Sequence, residues 1–380
     1  MKHTTNVLII GGGVIGCAIA YHLRKLNIAV TVLDQGEIGM QASSAAAGLL
    51  APLGSLSGPG PLADLVLASF ALFPSLVPEL EDASSIRVEY ERTGALRTVC
   101  KPKRISSLRQ RMQAWQPLGL QMHWLTGDEA RQREPLLAPE VCAAIYAPEE
   151  SQIKAPQLVR AFARAATNLG ATLHRQTEIT GIQRHNTNVT GVTTSAGETI
   201  ACDHLIVASG AWTARCSDWL DFPLPVSPQR GQILSLGQPS PPSLPLRHII
   251  FGEAAYIAPK ADGTIIVGAT REEVGFDTHI TASGIAWLLN TAIKLTPALE
   301  HSALQATWAG LRPKTPDTLP ILGAAPNWQN VTLATGHNSI GILLSAITGQ
   351  TIAELVATGR TPHLIYSFSP QRFSKSTSTM

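Results

Sequence analysis

Four apolar residues, Val7-Leu8-Ile9-Ile10, run without a break into Gly11-Gly12-Gly13-Val14-Ile15-Gly16. Apolar residues then recur at helical spacing to Leu26, and a second β-rich run from Ile28 ends on the acid Asp34. A short apolar run closed by glycine predicts a buried strand, and 3.6-residue recurrence predicts a helix packed on it. The opening therefore predicts strand, tight turn, helix and strand. From Gln35 to Leu62 the periodicity lapses into small residues, glycine and proline; a helix is predicted from Leu62 to Leu80.

Further on, Arg87 to Val99 reads as strand, Arg104 to Trp115 as helix, and 125–135 as a short helix with Thr126 near its N-cap. Gln157 to Asn168 is amphipathic and is closed by Gly170. Short runs with turns at Gly181, Gly191 and Gly197 predict a β-meander returning to the strand "HLIVASG". From Pro228 the β-rich runs lengthen ("RGQILSL", "RHIIF", "AAYIAP", "GTIIVGAT"), with a hairpin at Asp262-Gly263, so a second domain built on an antiparallel sheet is expected. Ala282 to Leu295 is helical, "ALQATWAGLRPKT" and "VTLATG" are strands, and "HNSIGILLSAITGQTIAELVATG" is a long helix behind a glycine-containing loop. The polar tail, 367–380, is expected to fray.

The glycines carry specific chemistry. Gly11 permits the turn off the strand, Gly13 lets the backbone approach a pyrophosphate, and Gly16 lets helix and strand pack closely. A pyrophosphate at the helix N-terminus meets unpaired N–H groups and the positive end of the helix dipole. Asp34 is placed to accept from a ribose hydroxyl; an acid there disfavours a 2′-phosphate, which leaves FAD and NAD open and excludes NADP.

At 380 residues the chain has room for two domains. A net charge of +2 with interspersed signs offers nucleic acid no basic face, so a small-molecule partner is expected. Cys17, Cys100, Cys142, Cys202 and Cys216 show neither CxxC spacing nor histidine clustering, which fits idle thiols in a reducing, cytoplasmic compartment and predicts no metal site. No leader pattern precedes the first strand. The apolar stretch Ala45 to Phe73 contains Pro52, Pro59, Pro61 and Asp64 and is not expected to span a bilayer. The Pro/Ser run Pro239 to Pro245 is the one low-complexity segment.

Seven separated motifs occur in order: "GGGVIGCAIAYHL…VLD", "SSAAAGLL", "VASGAW", "RGQILSL", "AAYIAP…GTIIVGATREEVGFD", "WAGLRPKTPDTLPILG" and "ATGHNSIGILL". Together they span nearly the whole chain and resemble the FAD-dependent D-amino-acid oxidase superfamily, most closely its glycine oxidase branch of the thiamine-biosynthesis type. The resemblance implies an α/β (α+β overall) fold: a Rossmann-type FAD-binding domain assembled from 1–85, 146–225 and 300–366, with an inserted antiparallel-sheet substrate domain from 86–145 and 226–299. It implies non-covalent FAD, since no cysteine follows Cys216 to attach the flavin late in the chain. It also implies oxidation of glycine, sarcosine or D-alanine, with O2 reduced to H2O2 and glyoxylate or iminoglycine feeding thiazole synthesis.

Carried over by motif, Val14 and Ile15 meet the pyrophosphate beside Gly11, Gly13 and Gly16. Asp34 and Gln35 meet the ribose, and Ala42, Ser43, Ala47, Gly48 and Leu49 line the flavin. Ile179 meets the adenine end. The loop of Gly336, His337, Asn338, Ser339, Ile340, Gly341, Ile342 and Leu343 turns its amides to the pyrimidine edge of the ring, so backbone rather than the His337 imidazole does the work there. Arg312 and Tyr256 are the implied carboxylate anchors, a guanidinium being able to grip a carboxylate with two hydrogen bonds. Trp308 is read as core.

Two departures bear on specificity. Ser339 stands where relatives carry an arginine ("GHFRNG"-like), and Arg271 stands where an uncharged residue often lines the pocket; a positive charge moved from the loop to Arg271 would alter which amines fit, and the alternative is that Arg271 simply faces solvent. The competing readings are a D-amino-acid dehydrogenase that passes electrons to a quinone, and a non-catalytic FAD-binding subunit. The partners expected are a small amino acid and O2, with a homo-oligomer left open.

Overall fold

The computed structural model describes residues 6–239 and 245–377. The Pro/Ser run, apart from its two ends, and the last three residues of the tail lie outside the described residues.

The first strand, Asn6–Ile10, is the hub of a six-stranded sheet. Across it the order is Ile321–Ala324, Val331–Thr335, His204–Val207, Asn6–Ile10, Ala29–Leu33, Thr172–His174, parallel except for the first pair. Strand alternation divides its apolar run between two cores. Val7 and Ile9 pack under the helices Val14–Lys25, Pro61–Ser84, Ala155–Asn168 and Gly341–Thr358. Leu8 and Ile10 pack under the meander Ile179–His185, Asn188–Thr194, Thr199–Ala201. An uninterrupted apolar run is what a strand covered on both faces requires.

An eight-stranded sheet forms the second body, in the order Leu304–Lys314, Ser227–Gly237, Thr264–Gly268, Tyr256–Pro259, Ile249–Phe251, Ala95–Val99, Ala143–Ala147, His123–Thr126. It is antiparallel except where Ile249–Phe251 runs parallel to Ala95–Val99, the seam between the two inserted segments. Helix Ala282–Leu295 covers one face. Thr126 caps the helix Gly127–Arg133 in a reciprocal capping box with Glu129.

Four expectations are corrected. Leu304–Lys314 pairs with Ser227–Gly237 along its length, so this strand lies in the eight-stranded sheet, although its segment, 300–366, was expected in the FAD-binding domain. The strand expected over 87–99 shortens to Ala95–Val99, because Glu89 (φ 51°) and Gly94 (φ 67°) break the extended backbone. The helix expected to end at Leu80 continues to Ser84 with Pro74 and Pro78 inside it. The tail does not fray at 367: Phe368 is fully buried and Arg372 Nε donates to Asp317 Oδ2 at 2.7 Å, an aromatic and an ion pair docking a polar segment. Helices Pro61–Ser84 and Asn338–Thr358 are long and apolar enough to cross a membrane, yet both pack into the core, where Ser69 Oγ donates to the Leu343 carbonyl at 2.6 Å.

Candidate active site

A cavity of about 830 Å³ opens between the two sheets, within the range of small-molecule sites. Its one end is the glycine turn. Gly11 takes φ +107°, and a Cβ there would stand 2.4 Å from the Ala208 carbonyl. Gly16 does not line the cavity; a Cβ on it would lie 1.9 Å from the Gly11 carbonyl oxygen, so its role is helix-on-turn packing. Helix Val14–Lys25 starts on Gly13 with no side-chain cap and no acid in its first turn, which leaves its N-terminus facing the cavity as an anion site. The Val14 amide donates to Ser43 Oγ at 3.0 Å, tying the small-residue segment to the glycine turn.

Asp34 is fixed by amides on both oxygens: Gly12 N donates to Oδ2 at 2.7 Å and Gly36 N to Oδ1 at 2.8 Å. Gln35 and Ile179 line the same end, with Thr177, Glu178 and Arg215 beside them.

The small-residue segment folds into a one-turn helix, Ala42–Ala45, then Ala46 to Leu49 along the cavity wall. Gly48 has φ +76°, and a Cβ there would be 1.8 Å from the Ile153 carbonyl. Strand approach explains the other small residues: Gly310 passes so close to Ala45 that a Cβ on the glycine would be 2.5 Å away. Trp308 Nε1 donates to the Ala45 carbonyl at 3.0 Å and does not line the cavity; it is half-buried, a strut between strand and segment and not the core residue expected.

At the far wall, Gly336 (φ +70°) and Asn338 (φ 47°) turn the chain into helix Gly341–Thr358, which begins without a side-chain cap or an acid. Gly336 lies behind the wall, where a Cβ would meet Thr315 at 2.5 Å; His337, Asn338, Ser339, Ile340, Gly341, Ile342 and Leu343 line it. Burial pushes the His337 imidazole down to about 3, and its Nε2 bonds Thr348 Oγ1 at 3.1 Å. It is a neutral structural histidine and not a base.

Arg312, Tyr256, Arg271 and Ser339 all reach this part of the cavity. Arg312 Nη1 donates to the Thr270 carbonyl at 3.0 Å, and among the described residues no carboxylate lies within 4.0 Å of the guanidinium. Burial, and then the nearby Arg271, lower its proton affinity. Burial also pushes the Tyr256 phenol up to about 12, against the opposite pull of Arg312, so it remains a donor at neutral pH. Arg271 and Ser339 are exposed at the rim.

Three features escaped the sequence reading. Arg97 is buried in a bidentate pair with Glu150 (2.5 and 2.9 Å) between the Phe251 and Trp115 rings; it is fully engaged and closes the wall. Lys260 Nζ donates to the Ala47 carbonyl at 2.6 Å and to Gln152 Oε1 at 2.8 Å, and burial lowers its pKa to about 8. Gly231 and Gly268 leave room for Arg312 and Tyr256: a Cβ on either would stand 2.4 Å from the Arg312 Nη2 or the Tyr256 hydroxyl. A glycine inside a strand is the available signal for such close approach.

The residues fit FAD. Two helix N-termini without an N-cap side chain open on one cavity, an amide-held acid stands beside the first, and a wall of small residues admits a flat ring system.

Comparison with known proteins agrees. Residues 6–355 match the family of FAD dependent oxidoreductases (DAO). The chain is 36% identical to glycine oxidase of Geobacillus kaustophilus over 98% of both chains. It is 38% identical to the bifunctional protein ThiO/ThiG of Trichormus variabilis, of which it spans 56%. The crystal structure of glycine oxidase from Geobacillus kaustophilus superposes with a TM-score of 0.92 at 35% identity, covering 97% of this chain and 99% of that one. On the strength of that match and of relatives well above 30% identity along nearly its whole length, the chain belongs to the DAO family of FAD-dependent oxidoreductases, and FAD is its cofactor.

Proposed function

We propose that the protein oxidises the amine of small amino acids, glycine, sarcosine and D-alanine among them, with O2 as electron acceptor. The observation that carries this reading is Arg312, a half-buried guanidinium on the cavity wall, near Tyr256 and without a carboxylate partner among the described residues. Arg312 donates charge-assisted hydrogen bonds to the substrate carboxylate, and Tyr256, protonated at neutral pH, donates another. Fixing the carboxylate fixes the direction of the Cα–H bond, which is the orientation term in the rate. When bound, FAD accepts the hydride from Cα and passes two electrons to O2 to give H2O2.

The remaining residues shape and dry the site. Arg97, Glu150 and Phe251 close the wall without offering a free charge. The amine proton leaves to solvent, since His337 is buried and committed to Thr348. The imine product hydrolyses to the oxo acid, glyoxylate from glycine, in keeping with a place in thiazole synthesis. We assign Gly11, Gly13, Val14 and Ile15 to the pyrophosphate, Asp34 and Gln35 to the ribose, Ile179 to the adenine end, and Ala42, Ser43, Ala47, Gly48 and Leu49 with 337–343 to the flavin. The six-stranded sheet then carries the cofactor and the eight-stranded sheet the substrate, in a cytoplasmic enzyme whose five cysteines are free thiols.

Initial rates with glycine, sarcosine and D-alanine, read in parallel as O2 consumption and as reduction of a dye, test the reading. Peroxide formed in step with O2 consumed supports an oxidase. Turnover only with the dye would establish a dehydrogenase.

A further inference from the structure

Arg271 sits between two anchored neighbours. The Thr270 carbonyl accepts from Arg312, and its Oγ1 accepts from Gln232 N at 2.8 Å. The backbone of Glu272 bridges Arg230, and its carboxylate is taken by Arg230 Nε (3.0 Å) and Gln232 Nε2 (2.8 Å). In extended chain, alternate side chains take opposite sides. Thr270 and Glu272 face Gln232, and Arg271 is turned into the cavity.

The acids near it are spent elsewhere. Glu272 is held by Arg230 and Gln232, and Glu273 pairs with Lys314 (2.6 Å) and Gln229 (2.8 Å). Asp277 is held by Arg230 and His279. Among the described residues Arg271 has no carboxylate within 4.0 Å, and neither has Arg312. Two guanidinium groups thus share one cavity, neither of them in an ion pair among the described residues. One substrate carboxylate answers Arg312 and Tyr256; Arg271, out at the rim, is left to a second anionic group further along the substrate.

We propose that Arg271 is a specificity residue that binds a second carboxylate, so that the site accepts N-carboxymethyl amines, secondary amines bearing a carboxylate on each side of nitrogen. This rests on the amine-oxidase reading of the cavity. With iminodiacetate, one Cα–H bond breaks and its electron pair and hydrogen go to the flavin while the N–H proton goes to solvent. O2 takes up the two electrons and two protons to give H2O2. Water adds across the C=N bond and the C–N bond cleaves, leaving glyoxylate and glycine.

The test compares 2,2′-thiodiacetate with (methylthio)acetate, two thioethers that carry two carboxylates and one, by titration calorimetry of the FAD-loaded protein. The dicarboxylate should bind roughly ten-fold or more tightly, the effect of about one charge-assisted contact. Arg271→Gln should abolish the difference and Arg271→Lys should keep part of it. Equal affinities in the unaltered protein, or a preference that survives Arg271→Gln, overturn the proposal. In turnover, the ratio of kcat/KM for iminodiacetate over sarcosine should fall about ten-fold in Arg271→Gln; an unchanged ratio also overturns it. If the dicarboxylate preference and its loss are seen while no amine yields peroxide, Arg271 keeps its assignment and the amine-oxidase reading fails.

Discussion

The Arg312 guanidinium lies broadside against Gly231: a methyl group added to that glycine would stand 2.4 to 2.6 Å from Nη2, Cζ and Nη1. The glycine is one strand away, where Ser227–Gly237 pairs with Leu304–Lys314, and its backbone is not left-handed, so an alanine is tolerated by the strand and refused by the arginine. Gly231→Ala should therefore leave the thermal midpoint within a few degrees and raise KM roughly ten-fold by displacing the anchor. A variant with wild-type KM would show that Arg312 does not hold substrate from this position.

Direct removal of the anchor has a larger effect. Arg312→Met loses one or two charge-assisted bonds of about 1.5–3 kcal/mol each, hence at least about ten-fold in kcat/KM. Arg312→Lys should recover only a fraction, because an ammonium lacks the planar fork that meets both carboxylate oxygens. Steady-state kinetics with sarcosine check both variants.

Asp34 accepts two backbone amides, so its loss should be felt both in the fold and at the cofactor. Asp34→Ala leaves the part-buried Gly12 N and Gly36 N without their acceptor, at a cost of up to about 1–3 kcal/mol for the pair, and removes the acid proposed to meet the ribose. The purified variant should carry markedly less flavin, read as a lower visible-to-ultraviolet absorbance ratio; full retention would contradict the assignment.

Gly48 combines φ +76° with a Cβ position 1.8 Å from the Ile153 carbonyl, a contact only backbone movement relieves. Gly48→Ala should move the Ala42–Leu49 segment and lower both stability and flavin content, by more than the roughly 1 kcal/mol of left-handed strain alone. Thermal unfolding with and without added FAD measures it.

Acid should destabilise the protein through its buried histidines. His337 falls from an unfolded value near 6.5 to about 3, and burial takes His22 and His204 to about 4. A base whose folded pKa is lowered binds more protons unfolded than folded between the two values. Stability is thus complete above about 6.5 and declines as pH falls toward about 3. His337→Asn should flatten the decline in thermal midpoint between about pH 6.5 and 4, and an unchanged slope would contradict the burial account.

Much of this was legible from periodicity. The run Val7 to Asp34 revealed strand, turn, helix and strand because a strand covered on both faces is uniformly apolar and the turn requires glycine. Helix Ala282–Leu295 appeared at its true bounds, since one face is apolar and Thr281 caps it. What stayed hidden depends on long-range pairing. Nothing local to Leu304–Lys314 says that it joins Ser227–Gly237, and Arg97 reads as a surface charge until Glu150, 53 positions later, is folded onto it. The need for Gly231 and Gly268 is likewise hidden, because what a Cβ there would meet are side chains on neighbouring strands, Arg312 and Tyr256.

The most direct test of the account is anaerobic mixing of the FAD-loaded protein with sarcosine, followed by visible absorbance, in the wild type and in Arg312→Met. The account predicts rapid bleaching of the wild-type flavin, recovery of colour with H2O2 when O2 is admitted, and bleaching slower by about ten-fold or more in the variant at the same subsaturating sarcosine. A wild-type flavin that sarcosine, glycine and D-alanine all leave oxidised, or one that bleaches equally fast without Arg312, would contradict it.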